Sequence, residues 1–238
     1  MIPTVAAAVV LAGTVSLGVW QLQRADEKAT AQAARDAALA APPLRPGAAA
    51  LAASALDGRR LELVGRFEPQ RTLLLDNRTH RGVAGFHVLT PLRLDDGGAV
   101  VMVLRGWVAR DLRDRARVPG FPTPEGTVRI EGLAMAELPQ PIVLSRAADA
   151  AERGSPIRQH FDLEAWRRVE APGALPVVVR QTSDSNDGLV RDWPQPGSGV
   201  DKHRGYAVQW FAMAFVTGVL WWRFGRIHVR RRADEDPG

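Results

Sequence analysis

The sequence contains no cysteine, which excludes disulfide frameworks, thiolate metal sites, cysteine nucleophiles and copper handling by thiolates. The same absence suits an oxidising or a reducing compartment, so it does not locate the chain. Recognised catalytic patterns are missing as well: no glycine-rich phosphate loop, no HExxH zinc motif and no nucleophile elbow. The carboxylates are many, yet none is placed by sequence in an acid/base pair. A membrane-anchored enzyme would need a convergent catalytic group that is absent, and no enzymatic activity is expected.

Charge is missing from two stretches. From Ile2 to Gln23 there is no charged side chain, and from Gly205 to Trp222 there is none. Helices of that length rise about 27 to 33 Å at 1.5 Å per residue, enough to cross the hydrocarbon core of a bilayer. Trp20 near the end of the first, and Tyr206, Trp221 and Trp222 at the ends of the second, sit where interfacial aromatic belts form. The first stretch lacks a positive leader and exceeds the apolar core of a signal peptide, the alternative reading.

The net charge is +5, and much of the excess lies in Arg223, Arg226, Arg230, Arg231 and Arg232, directly behind the second stretch. A basic tail beside an apolar helix, without a base-stacking aromatic platform, does not point to nucleic acid. Short basic flanks stay cytoplasmic, whereas long domains translocate regardless of charge. The expected layout is a transmembrane helix over 2–23, a periplasmic domain over 24–204, a second transmembrane helix over 205–222 and a cytoplasmic basic tail over 223–238. Both termini are then cytoplasmic. Small residues at i, i+4 and i+8 (Ala8, Ala12 and Ser16, with Ala214 and Gly218 on the second span) are the expected packing stripe of the two helices.

Between the spans the period changes. Residues 24–40 keep helix-forming composition until Pro42, Pro43 and Pro46, and a short Ala/Leu helix is expected near 47–57, closed by Gly58. Leu61, Leu63 and Phe67 alternate with Glu62, Arg66 and Glu68, as in a half-buried strand. Further strands are expected at 73–75, 84–94, 99–109, 127–135 and 175–182. Turn chemistry marks Asp76-Asn77 and Asp95-Asp96-Gly97-Gly98. Asp162 is placed to cap a helix running to about Glu170, with Leu163, Trp166 and Val169 on one face. The predicted fold is therefore membrane α with a β-rich α+β domain: two transmembrane helices flanking a mostly antiparallel sheet or small open barrel with peripheral helices. Residues 183–200, rich in Ser, Asp, Gly and Pro, read as a loop back to the membrane.

Among the histidines, His80, His87 and His160 are scattered along the domain. His203 precedes a helical stripe of Tyr206, Trp210, Met213 and Thr217, which puts an imidazole above an apolar, aromatic face at the membrane interface. A neutral imidazole is a good axial ligand for haem iron. On chemistry alone, a headgroup-level histidine above a lipid-facing stripe is the better reading.

Several short motifs, in order, resemble a known family. Leu17-Gly18-Val19-Trp20-Gln21 with Arg24 and Lys28 is similar to the pattern LGxWQxxRxxxK of the surfeit locus protein 1 family, a family of cytochrome c oxidase assembly factors. The resemblance continues through Gly65-Arg66-Phe67, Gly85-Phe86-His87-Val88 with Thr90-Pro91, and Arg105-Gly106-Trp107-Val108. It ends with Arg191-Asp192-Trp193-Pro194, His203-Arg204-Gly205-Tyr206-Ala207 and Gln209-Trp210-Phe211. One departure bears on the site: where the family usually carries Asn, this chain has Lys202 beside the histidine.

The resemblance implies a non-enzymatic accessory protein of the bacterial inner membrane that chaperones haem a toward the catalytic subunit of a haem–copper oxidase. Its expected partners are that subunit, the haem a synthesis machinery and membrane lipid, with no nucleic acid. It implies His203 as the iron ligand, with Tyr206, Trp210, Trp20, Gln21 and Arg24 completing a cofactor-binding cluster where both helices leave the membrane. Arg105 and Trp107 are expected either to pack within the domain or to contact an oxidase subunit. The alternative function is a scaffold that stabilises an early oxidase subunit without binding haem.

Overall fold

The computed structural model describes residues 2–46, 52–111, 113–114, 119–139, 155–193, 197 and 199–234. They form two compact units, a helix pair (Met1–Asp36 with Gln195–Gly238) and a β domain (Ala37–Pro194). Residues 24–36 and 195–204, expected in the domain, thus group with the helices. Pro194 of the last domain motif and residues 47–51 of the expected Ala/Leu helix lie outside the described residues.

Helix α1 spans Ile2–Ala40 without a break and stops two residues before Pro42, which cannot supply a helical N–H. The last helix, designated α4, spans Val200–Asp234. The pair meets along a seam of heptad spacing. On α1 the seam passes through the buried Thr14, Gly18 and Ala25 and the half-buried Gln21 and Lys28; on α4 it passes through His203, Ala207, Trp210, Ala214 and Thr217. An added Cβ on Gly18 would lie 2.8 Å from the Phe211 ring, so Gly18 lets the two helices approach. The expected stripe is corrected on α1: Ala12 and Ser16 are exposed, and Ala8 is exposed at the rim of a cavity it lines with Thr217, Gly218 and Trp221. A strict i+4 row winds off the contact, whereas alternating steps of three and four hold it. Thr14 and Thr217 return their hydroxyls to their own helices, to Val10 and Met213 carbonyls, both at 2.8 Å.

Among the described residues only α1 is long and apolar enough to cross a membrane, with a mean hydropathy of 1.8. The expectation of a second transmembrane helix over 205–222 is corrected here. In α4 the uncharged stretch holds Tyr206, Gln209, Trp210, Trp221 and Trp222, whose polar tips reduce its apolar character.

In the domain, a short helix α2 (Ala53–Leu56) precedes seven strands: β1 Arg60–Phe67, β2 Leu73–His80, β3 Val83–Leu94, β4 Val100–Ala109, β5 Val128–Met135, β6 Ile157–Arg158 and β7 Val178–Gln181. Helix α3 (Leu163–Val169) lies between β6 and β7. The sheet runs β1-β5-β7-β4-β3-β2-β6, and a further β1–β3 pairing joins its ends into a closed barrel from which β2 and β6 branch. The barrel is closed rather than open, and β4–β7 and β2–β6 are parallel. The twelve-residue β3 makes closure possible: its end pairs with β1 at Leu92–Leu94, while its beginning pairs with β2.

Leu61, Leu63, Leu92, Val101, Val103, Ile130 and Val179 pack inside the barrel. Strand β4 is buried on both faces, because Met102 and Leu104 pack outward against Phe161, Leu163 and Trp166. Asp162 caps α3 as expected, accepting from the Ala165 N–H at 2.9 Å. Val169, expected on the buried face, is 77% exposed, and Ala171 beyond the helix end fills that place. The Asp95–Gly98 connection does join two antiparallel strands, β3 and β4. The expected turn at Asp76-Asn77 is instead a bulge inside β2, with Asn77 at φ 58°; the reversal comes at Arg81-Gly82, both left-handed.

Candidate functional site

The polar end of the helix pair brings together residues 182 positions apart in sequence. His203 Nδ1 lies 2.7 Å from Gln21 Oε1. An amide oxygen only accepts, so Nδ1 carries the proton and Nε2 keeps its lone pair. The contact follows from the seam, since Gln21 and His203 occupy facing steps of the heptad one turn outside the Gly18–Phe211 approach. Burial lowers the His203 pKa, and the cations Lys28, Arg24 and Lys202 lower it further. The chain has only two lysines, and both stand in this cluster. Lys202, the departure from the family pattern, thus favours the neutral imidazole.

Of the other expected residues here, Trp20 is 52% and Tyr206 42% exposed, while Trp210 is half-buried beside the seam. Arg24 turns to solvent and pairs with Glu27 at 2.6 Å. Gln21 thus orients His203, while Trp20 and Tyr206 are exposed on their own helices.

Arg105 and Trp107 stand differently. Arg105 is wholly buried. It donates to Asp187 Oδ2 at 2.7 Å, to the Pro122 carbonyl at 3.0 Å and to Thr123 Oγ1 at 2.8 Å. Its guanidinium also lies over the rings of Phe67 and Phe121. Burial lowers the Arg105 pKa and Asp187 draws it back up. Burial likewise raises the Asp187 pKa, but hydrogen bonds from Arg191 and Arg105 overcome this and hold it below the usual carboxylate range. Trp107 is 8% exposed and donates its indole N–H to the Arg78 carbonyl at 2.8 Å. Of the two expected alternatives, packing within the domain fits both side chains, which serve the interior.

Sequence reading missed Asp187, one acid among several in a Ser/Asp/Gly-rich loop, where nothing marks it as buried. It also left His80 and His87 scattered. Both line one cavity of about 270 Å³ with Trp107 and Trp193. The register explains this. Val88 pairs with Gly106 but Leu89 with Leu104, so Arg105 is an extra residue in β4. That bulge flips the alternation and turns Leu104 and Trp107 to the same side, where His87 is the cross-strand neighbour of Trp107. Among the described residues no three of His, Cys, Asp and Glu gather as a metal site.

Comparison with known proteins gives a consistent result. The model of the SURF1 family matches residues 8–215. A SURF1-like protein of Monosiga brevicollis is 24% identical over 238 residues, covering 94% of this chain and 86% of its own length. Surfeit locus protein 1 of Homo sapiens is 26% identical, covering 87% of this chain and 72% of its own, and that of Mus musculus is 25% identical, covering 87% and 70%.

Proposed function

This chain belongs to the SURF1 family, and we propose on that premise that it holds haem a through His203 at the polar end of the helix pair and passes it to the oxidase catalytic subunit. The family's role is in cytochrome c oxidase assembly. Bound haem would supply an iron for an imidazole ligand and, through its propionates, negative charge.

The observation that carries this reading is the His203–Gln21 hydrogen bond. It fixes the ring and, with Nδ1 as donor, leaves a lone pair on Nε2, the arrangement that a metal-binding histidine needs. Arg24, Lys28 and Lys202 surround the ring with positive charge, which complements propionates. Trp20, Tyr206 and Trp210 give flat apolar surface for a porphyrin edge.

The same reading includes anchoring in the bacterial inner membrane through α1, with the β domain periplasmic. Val208, Phe215, Val216 and Trp222 of α4 are exposed, as are Val5, Val9 and Val19 of α1, so both helices turn apolar side chains outward. That pattern suits lipid on both. Interaction with the oxidase catalytic subunit and with the enzymes that make haem a follows from delivery of the cofactor.

Protein purified from cells that make haem a should carry a haem absorption band, and His203→Ala should lose it. A colourless wild-type protein whose removal still abolishes oxidase assembly would overturn haem delivery in favour of a haem-free scaffold.

A further inference from the structure

The β domain shows how it treats a buried cation: Arg105 and Arg191 share the carboxylate of Asp187. Two other arginines lack this. Arg78 is 9% exposed and Arg180 half-buried, and among the described residues neither has a carboxylate within ion-pair reach. The Nε–H of each is buried without an acceptor, as are those of Arg105 and Arg191, so the difference lies in the missing carboxylate. Arg78 makes one long contact, 3.4 Å to the Gln159 carbonyl, and Arg180 lies 5.7 Å over the Trp193 ring. Both line the cavity of about 270 Å³ behind Trp107 and His87. Burial lowers the pKa of both guanidinium groups, with no restoring acid such as Asp187 gives Arg105.

A cation held away from water without a counter-charge is costly, and elsewhere this domain sets a carboxylate beside its buried guanidinium groups, Asp187 beside Arg105 and Arg191. The rest of the lining is flat and apolar. Trp193 meets the His87 ring edge-on at 5.5 Å, Trp107 lies 5.2 Å from the His80 ring, and Leu104 adds aliphatic surface. Asp192, the acid on this lining, is taken up by Arg81. We propose that this cavity is a binding site for a small organic anion with a flat apolar body, its carboxylate held by Arg78 and Arg180 and its body by Trp107 and Trp193. The size favours a compact ligand, since the volume lies at the low end for small-molecule pockets. The site is separate from His203 and does not rest on haem binding.

The test is calorimetric titration of the full chain in lipid nanodiscs with 2-naphthoate, against empty nanodiscs, with 2-naphthylmethylammonium as a cation of matching body. Naphthoate should bind one per chain and the ammonium should not. Arg78→Gln and Arg180→Gln should each weaken naphthoate roughly 10- to 100-fold, the loss expected for a charge-assisted hydrogen bond. His203→Ala should leave binding unchanged. Equal binding of the cation, no naphthoate binding by wild type, or undiminished binding by both folded arginine variants would overturn the proposal. The comparison of the two probes on wild type stands even if a variant fails to fold.

Discussion

In the β domain the large apolar side chains point inward; in the helix pair they point outward. Among the described residues, Val83 and Val169 are the domain's large apolar side chains with high exposure, while the helices expose nineteen along their length. Polar groups follow the reverse pattern. The domain buries Arg105 and Asp187 completely and pairs them with each other, whereas the helix pair keeps Gln21 and His203 half-buried at its polar end with one imidazole nitrogen free. The family-like motifs divide along the same line. Those of the domain hold the fold together, and those of the helices leave chemistry at the surface.

The sharpest way to break this comparison is Asp187→Ala, which strands Arg105 and Arg191 without their shared carboxylate. Denaturant unfolding followed by tryptophan fluorescence should show a loss of about 3–5 kcal/mol. A loss under about 1 kcal/mol would mean that the buried network is not a keystone of the domain.

Next in size is a pH effect. Burial, reinforced by Arg78, pushes the His87 pKa from 6.5 down to about 4. Between those values the unfolded chain binds more protons than the folded one, so stability falls as pH falls through the window. The loss is roughly 3 kcal/mol at its limit. His87→Gln should flatten the slope of unfolding midpoint against pH between 6.5 and 4.5, and an unchanged slope would remove His87 from the account.

Glycines separate the two units in a third way. At Gly65 a Cβ would stand 2.1 Å from the Arg93 carbonyl oxygen, a backbone atom that cannot move aside. Gly65→Ala should cost about 1–3 kcal/mol. At Gly18 the obstacle is the Phe211 ring, which can rotate, and alanine gains about 1 kcal/mol of helix propensity. Gly18→Ala should therefore change thermal stability little; a large drop would mean that the seam is as rigid as the sheet. Smallest of all, Glu27→Gln removes an exposed ion pair with Arg24 and should shift stability by less than about 0.5 kcal/mol.

The legible parts of the fold were those set by local pattern. Alternation marked β1 and β5, the Asp95–Gly98 run marked a hairpin, Asp162 marked a helix start and Pro42 a helix end. What was illegible depends on partners distant in sequence. Asn77 looks like a turn residue, but cross-strand pairing continues past it and makes it a bulge. The two-residue β6 owes its existence to pairing with β2, and barrel closure depends on where β3 bends to reach β1. The small-residue stripe on α1 was misplaced because i+4 spacing ignores the slow drift of a helix against its partner. At the candidate site, family motifs marked Gln21 and His203 separately. Their hydrogen bond depends on the register of the two helices, which neither segment encodes alone.

The central claim is that His203, oriented by Gln21, is an iron ligand. Absorbance titration of haem into the full chain in nanodiscs tests it most directly, comparing wild type with His203→Ala and Gln21→Leu. Wild type should develop a histidine-ligated haem band, His203→Ala should not, and Gln21→Leu should keep the band with affinity weakened roughly 10- to 100-fold, as when a ligand histidine loses its orienting partner. Superimposable titrations of wild type and His203→Ala would contradict the account.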